Sequence, residues 1–559
     1  MFRLGNKRKN KHRKVIELHP DEILLDVHNL PAFDRQQFEG RLERPIAKNA
    51  LATLFYVMVA VAPCFVGRLA YLQIASGAYY ANKSEQNRLD HTPIIADRGV
   101  IYDRNGVELA WNTIAPDTEP TLRAYIDKPG FANLLGYVSY PTRDRSGRFW
   151  QAQTVGKDGI EQQFNSMLSG KNGTNLIETD VSGEVTAENM IEPPQQGENL
   201  TLTVDARVQA SFAEGIKALA EKSGYVGGAG AVMDVHTGEL IAMTTYPEYN
   251  QHILSDGGDS ATINGYFKDE SRPFLNRMID GLYTPGSIVK PFLALAALKE
   301  GVITPNKVIY TTGSLKIPNP YNPNQPTIFK DNADHGAVDM KKAIGVSSNV
   351  YFYQIAGGFG DQAGLGINNI EKYMGLFGIG QKTGISTAEM TGTVPSIAWK
   401  AKAFPGDSWR IGDTYNTSIG QYGFQVTPMQ MLRAVAGIGS RGTLVTPTLT
   451  KGDVRPTETL PFSADQYDAV YEGMRMVVTE GTAQSLNNPD VHVAAKTGTA
   501  QIKNNTRVNS WAIGFFPYEN PRYAFTVLME NGPLMESGAA NAFKPVVQLF
   551  AATPELLTQ

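Results

Sequence analysis

Nineteen uncharged residues in a row, NALATLFYVMVAVAPCFVG at 49–67, constrain this chain more than any other feature. As a helix they reach about 28 Å, close to the hydrocarbon thickness of a bilayer. The stretch is apolar on every face and is bracketed by Lys48 and Arg68. It reads as a single transmembrane helix rather than a core helix. Upstream, Arg3, Lys7, Arg8, Lys9, Lys11, Arg13 and Lys14 carry no acid among them. That bias puts the N-terminus on the cytoplasmic side. A cleavable signal is not expected, because the apolar stretch starts far from Met1 and ends without a small-x-small pattern. Cys64, the single cysteine, follows Pro63 and reads as a membrane-buried apolar residue. A cysteine-free remainder suits an oxidising compartment and excludes a thiolate zinc site outside the membrane.

No second span follows residue 68, so the rest of the 559 residues should form one extracytoplasmic body. A net charge of −4 argues against nucleic acid as a bulk partner. Residues 99–112 read as a hairpin around Arg104-Asn105-Gly106, and 156–173 as a helix. Residues 197–224 read as an alternating strand followed by a helix capped by Asp205. A hairpin at 227–249 turns at His236-Thr237-Gly238, and another near the C-terminus turns at Asn520-Pro521, ahead of a last helix. The expected organisation is a cytoplasmic tail (1–48), a transmembrane helix (49–67), an N-terminal module (68–223) and a second domain (224–559). Strand pairs at both ends of that domain, with helices between, predict an α+β fold with an antiparallel sheet.

Three short patterns carry chemistry. In GLYTPGSIVKPFLALAALKEG (281–301), Ser287 and Lys290 share one face at the start of an apolar helix. Burial would lower the lysine pKa enough to make it a base for the serine. An isolated Ser-x-x-Lys is more simply a capping serine with a surface lysine, yet Ser287 is the only serine here with lysine three residues on. Ser347-Ser348-Asn349 offers a hydroxyl for proton relay and an amide for a peptide group, while Ser485-Leu486-Asn487 is a decoy of the same form. Lys496-Thr497-Gly498-Thr499 puts a cation and hydroxyls on a strand, where they could hold a carboxylate. Gly498 there would let a substrate backbone approach. Lys382-Thr383-Gly384, in a glycine-rich loop, is its decoy.

The order Ser-x-x-Lys, Ser-x-Asn, Lys-Thr-Gly is the set of the penicillin-binding proteins and class A β-lactamases. The chain resembles the penicillin-binding proteins over roughly residues 68–550. DRGVIYDRNGVELA (97–110) and GKDGIEQQFNSMLSG (156–170) look like pedestal motifs of the transpeptidase-only class B. NTSIGQYGFQVTPMQMLRAVAGIGSRG (416–442) looks like the stretch before the last motif. Between Gly67 and Arg98 there is no room for the glycosyltransferase domain of class A. FLNRMIDGLYTPGSIVKP and FPGDSWRIGDTYNTSIGQ look closest to the elongation type, although the division type shares most motifs. The segment between Gly99 and Gly159 is shorter than in proteobacterial elongation enzymes, a departure that leaves partner contacts at the head of the pedestal open.

The resemblance implies D,D-transpeptidation of peptidoglycan stem peptides and acylation by β-lactams. Ser287 would be the nucleophile, Lys290 its base, Ser347 the relay to the leaving amine, and Asn349 a holder of the donor. Lys496, Thr497, Gly498 and Thr499 would bind the substrate and its carboxylate. The amides of Ser287 and Thr499 would form the oxyanion hole. It also implies a polytopic SEDS partner, RodA-like or FtsW-like, and placement in the cytoplasmic membrane facing the periplasm. No cofactor is implied. Asp331, Asp334 and His335 lie where some relatives hold zinc with a cysteine; with none here, a hydrogen-bonded loop histidine is the simpler reading. A D,D-carboxypeptidase, which differs only in using water as acceptor, stays open. A β-lactamase is disfavoured by the anchor and large N-terminal module, and a sensor by the short cytoplasmic tail. An inactive scaffold is disfavoured because no motif residue is missing.

Overall fold

The computed structural model describes residues 47–113, 121–145, 149–179, 185–319, 322, 324–386, 388–502, 505–534 and 538–558. The basic tail expected over 1–48 lies outside them except for its last two residues. The chain divides into two units, 1–89 and 90–559.

In the first unit, helix α1 (Lys48–Ala70) covers the expected span and extends it by one residue before and three after. A wider turn at Tyr71–Ala75 continues it into the helix Gly77–Arg88. Among the described residues, 48–75 is the one helix long and apolar enough to cross a membrane, and none of that apolar stretch is buried against protein. Pro63 sits inside α1.

The second unit contains the expected hairpin, Ile101–Tyr102 against Glu108–Thr113. Asp103 closes its turn by accepting from the amides of Asn105 (2.7 Å) and Val107 (2.9 Å), and Gly106 takes φ +85°. The single helix expected over 156–173 is broken at Phe164 into Gly159–Gln163 and Asn165–Leu168. Glu161, between them and the hairpin, is fully buried with Arg98 (2.5 Å) and Arg123 (2.8 Å). The strand expected after residue 197 shrinks to Leu200–Thr201, which joins the hairpin sheet in parallel with Ile101–Tyr102.

Helix α2 (Ala206–Ser223) starts at Asp205, whose carboxylate accepts from Arg207 N (2.9 Å), and ends at Gly224 with φ +69°. It was expected in the N-terminal module. Instead it packs on the large sheet, with Phe212 against Gly230 and 5.2 Å (ring centroids) from Phe543. Its buried stripe lies on that sheet and on the helix carrying Phe543, while Gln209 also donates to Gly130 O and Ala206 N to Asp103 Oδ2 in the N-terminal part.

That sheet holds β1 (Gly227–Asp234) and β2 (Leu240–Tyr246), followed by helices α3 (Lys290–Lys299), α4 (Met340–Gly345), α5 (Asn349–Gly357) and α6 (Pro428–Gly439). It is completed by β3 (Ala494–Ile502), β4 (Arg507–Phe516), β5 (Tyr523–Gly532) and the covering helix α7 (Ala540–Ala552). The order is β2-β1-β5-β4-β3, antiparallel throughout. Directly paired residues share a face. Gly230 and Val527 thus face α2 and α7, whereas Phe515 and Ala524 face α6 through Gly439. The fold is α+β with helices on both faces of the sheet, as expected. β3, which carries Lys496 to Thr499, is an edge strand.

Candidate active site

The segment before α3 is pinned from three sides. Thr284 O accepts from Trp511 Nε1 (3.0 Å) and its hydroxyl accepts from Gln425 Nε2 (3.1 Å). Gly286, at φ +61°, donates its amide to Gly420 O (3.0 Å). Ser287 then lies in a 3₁₀ turn, Gly286–Val289, that feeds α3. In such a turn residues i and i+3 eclipse, so Lys290 stands in line with Ser287. Nine of the ten residues of α3 are buried, as its composition predicts.

Lys290 is fully enclosed. Its Nζ donates to Ser347 O (2.7 Å) and Asn349 Oδ1 (2.7 Å) and lies 3.3 Å from Ser347 Oγ. A direct bond to Ser287 Oγ is not among its partners; the acceptors of the 347–349 corner take its hydrogens. Burial, reinforced by the nearby Lys496, pushes the Lys290 pKa well below the ordinary lysine range, and Asp331 opposes that shift.

Ser347 occupies the junction of α4 and α5 with φ +59°, a conformation rare for any residue with a Cβ. Ser348 N returns to Ala343 O (3.0 Å) to close α4, and Ser348 caps α5 through Tyr351 N. The Ser347 hydroxyl is thereby held between two amines, as Lys496 Nζ donates to it at 2.9 Å. Lys496 is also fully enclosed, and burial lowers its pKa to about 7. Three motifs thus meet around one hydroxyl, with Lys290 lying 57 residues before it and Lys496 149 residues after it.

Alternation along β3 sends Lys496 and Gly498 inward and leaves Thr497 and Thr499 accessible. Gly498 differs in reason from what its sequence suggests. A Cβ there would meet Pro285 O and Ile288 Cγ2 at 3.0 Å, so the glycine lets the nucleophile turn, rather than a substrate, approach β3. Gly286 in turn packs against Thr499 O, which brings the amides of Ser287 and Thr499 to neighbouring segments.

Ser287, Ser347, Asn349, Thr497, Gly498 and Thr499 all line one open cleft of about 800 Å³, with Lys290 and Lys496 beneath them. The cleft also takes Tyr353, Asn416, Gln421, Tyr422 and Thr482, which sequence reasoning did not single out. Three of these lie in the quoted stretch at 416–442; Thr482, which shares a hydrogen bond with Thr497, had no local signal. Both decoys lie elsewhere. Thr383 is tied to Glu389 (2.6 Å), and Asn487 follows a short turn beside Arg475. His335 Nε2 lies 2.8 Å from Asn332 Oδ1, and Asp334 accepts from Gly336 N (3.1 Å). Among the described residues no group of three or more His, Cys, Asp or Glu is placed to hold a metal ion.

The penicillin binding protein transpeptidase domain family matches residues 228–548, and the penicillin-binding protein dimerisation domain matches 114–202. The chain is 30% identical over 468 residues to the peptidoglycan D,D-transpeptidase MrdA of Haemophilus influenzae, covering 77% of this chain and 69% of that one. PBP2 of Pseudomonas aeruginosa, solved in complex with WCK 5153, superposes with a TM-score of 0.67 at 30% identity, over 83% of this chain and 96% of that one. PBP2 of Helicobacter pylori, solved with MreC, gives 0.67 at 27%, over 84% and 99%.

Proposed function

The chain belongs to the penicillin-binding protein transpeptidases of class B, and from that premise we propose that it is a peptidoglycan D,D-transpeptidase of the elongation type. The observation that carries this is the Ser347 hydroxyl held between two buried lysine amines, beside the Ser287 turn. The MrdA and PBP2 names of its relatives support the elongation role.

Ser287 Oγ attacks the carbonyl of the penultimate D-Ala, and its proton passes to the Lys290 amine. Burial lowers the pKa of that amine and so favours its basic form. The amides of Ser287 and Thr499 donate to the developing oxyanion, an interaction worth about 3–4 kcal/mol per donor in serine enzymes. The C–N bond then breaks. Ser347, bonded to both lysines, delivers a proton to the leaving D-Ala nitrogen. Thr497 and Thr499 hydroxyls hold the donor carboxylate, with Lys496 adding positive potential from beneath. Asn349 orients Lys290 and offers its amide to the donor. An amine from a second stem peptide attacks the ester, restores Ser287 and forms the cross-link. A β-lactam opens its ring on Ser287 and leaves no departing group, so the acyl-enzyme persists.

The apolar helix α1 supports single-pass anchoring, and the basic tail supports a cytoplasmic N-terminus with the catalytic body outside. Protease added to sealed, right-side-out spheroplasts should then remove the body and spare the tail. A membrane-embedded SEDS glycosyltransferase of the RodA type is the fitting partner for a chain whose matched domains, at 114–202 and 228–548, are a dimerisation and a transpeptidase domain.

Incubation of the full chain with a stem pentapeptide donor and an amine acceptor tests the activity. Release of D-Ala together with a cross-linked dimer, both lost in Ser287→Ala, is expected. D-Ala release without dimer would replace the transpeptidase with a carboxypeptidase. Neither product, on a chain that binds penicillin covalently, would overturn the turnover reading.

A further inference from the structure

The catalytic corner at 347–349 is gripped by three consecutive residues of the cleft wall, Lys330, Asp331 and Asn332, that the mechanism does not use. The Asp331 side chain is fully buried. Its Oδ2 accepts from Ser348 Oγ (2.6 Å) and Val350 N (2.9 Å), and its Oδ1 from Asn349 N (2.6 Å). One carboxylate therefore ties three successive residues at the start of α5, where amides lack helical partners and favour negative charge. Lys330 O accepts from Asn349 Nδ2 (3.3 Å) and from the Tyr353 hydroxyl (3.3 Å). Asn332 Nδ2 donates to Val346 O (3.1 Å) on the other side of Ser347. The grip thus brackets the one residue of the corner whose backbone is strained, Ser347 at φ +59°.

We propose that Asp331 is a positioning residue for acylation, clamping Ser347 and Asn349 in the geometry that presents their oxygens to Lys290. The proposal rests on the transpeptidase reading and deepens it. Released from Asp331, the Ser347 backbone would relax toward a negative φ and turn its carbonyl and hydroxyl away from Lys290. Asn349 would also lose the amide anchor that keeps Oδ1 on Lys290 and Nδ2 on Lys330 O.

The carboxylate also acts through its charge. The charged groups facing Lys290 are Lys496 and Asp331. Facing Asp331 is His335, with Nε2 at 4.0 Å from Oδ1. Asp331 favours protonated Lys290, so its neutralisation lowers the Lys290 pKa further. The basic form then appears at lower pH, and the acid limb of acylation moves to lower pH. A residue that merely stabilised the fold would lower the rate without moving that limb.

The test is the pH profile of Ser287 acylation by a fluorescent penicillin, using the full chain in detergent. Asp331→Asn should lower the plateau rate by about 10–100-fold through misplacement of the base. It should also move the acid limb down by about half a pH unit or more. His335→Gln should leave both unchanged. If Asp331→Asn does not fold by near-ultraviolet circular dichroism, Asp331→Ser takes its place, since it keeps an acceptor for Asn349 N and loses the charge. A plateau within twofold of wild type, a lowered plateau with an unmoved limb, or the same limb shift in His335→Gln would each overturn the proposal. A wild type that penicillin does not acylate would overturn the activity reading and this proposal together, whereas acylation with any of those three results overturns the proposal alone.

Discussion

Ser347 combines an unfavourable backbone with an essential position. Its φ of +59° costs about 1 kcal/mol against a glycine, and a glycine there would lose the hydroxyl that links Lys290 to Lys496. Ser347→Gly is therefore expected to be slightly more stable than wild type and at least a hundredfold slower in acylation. Ser347→Ala should be equally slow without the gain in stability. Thermal melts and penicillin labelling of the two variants separate strain from chemistry. Lys496 sets a second conflict. Its pKa is about 7 in the folded chain and near the ordinary lysine value when unfolded. Between those values the unfolded chain binds more protons, so this lysine's penalty is absent above the ordinary lysine pKa and grows as pH falls to about 7. The stability of Lys496→Met relative to wild type should thus be greatest near pH 7 and decline as pH rises, by denaturant titration at several pH values. A gap that widens with pH would contradict the burial of a neutral amine.

At the scale of elements, the nucleophile turn is held by close approach of backbones as well as by the Trp511 and Gln425 side chains. A Cβ on Gly420 would stand 2.2 Å from Gly286 O, and the residue has φ +73°. Gly420→Ala must push the turn carrying Ser287 away from β3. A loss of about 2–4 kcal/mol and near-complete loss of labelling are expected, measured on the same folded sample. Wild-type labelling by Gly420→Ala would mean the turn is not held this way. The motifs themselves were legible in the sequence because each needs a local element: an apolar helix after Ser287, and a strand through Lys496. Their mutual geometry was not. Helical spacing put Ser287 and Lys290 on one face, yet acceptors from the α4–α5 junction, 57 and 59 residues on, hold the lysine. The wall at 416–422 was visible only through resemblance, and Thr482 not at all, since a lone threonine after a helix has no periodic signature.

At the scale of the whole molecule, α2 shows what periodicity leaves open. Its cap at Asp205 and its apolar stripe were both readable, but a stripe does not name the surface it covers. The small residues of GGAGAV in β1 are the complementary signal, because Phe212 rests on Gly230. Val208, Phe212, Ile216 and Leu219 bury about 2 kcal/mol each, a sum comparable to the stability of a whole domain. A fragment of residues 203–559 should therefore fold and bind penicillin, while one of 224–559 should not, by circular dichroism and labelling. Equal folding of the two would return α2 to the N-terminal module. The apolar helix over 49–67 was the easiest feature to read, since length and an unbroken apolar composition are all it needs to be recognised.

The most direct test of the central claim is a mass measurement. The full chain in detergent is incubated with benzylpenicillin, its intact mass is taken, and the modified peptide is mapped. One stable acyl group per chain is expected, on Ser287, absent in Ser287→Ala and strongly slowed in Lys290→Met. An unmodified wild type, or a label that survives Ser287→Ala, would contradict the claim.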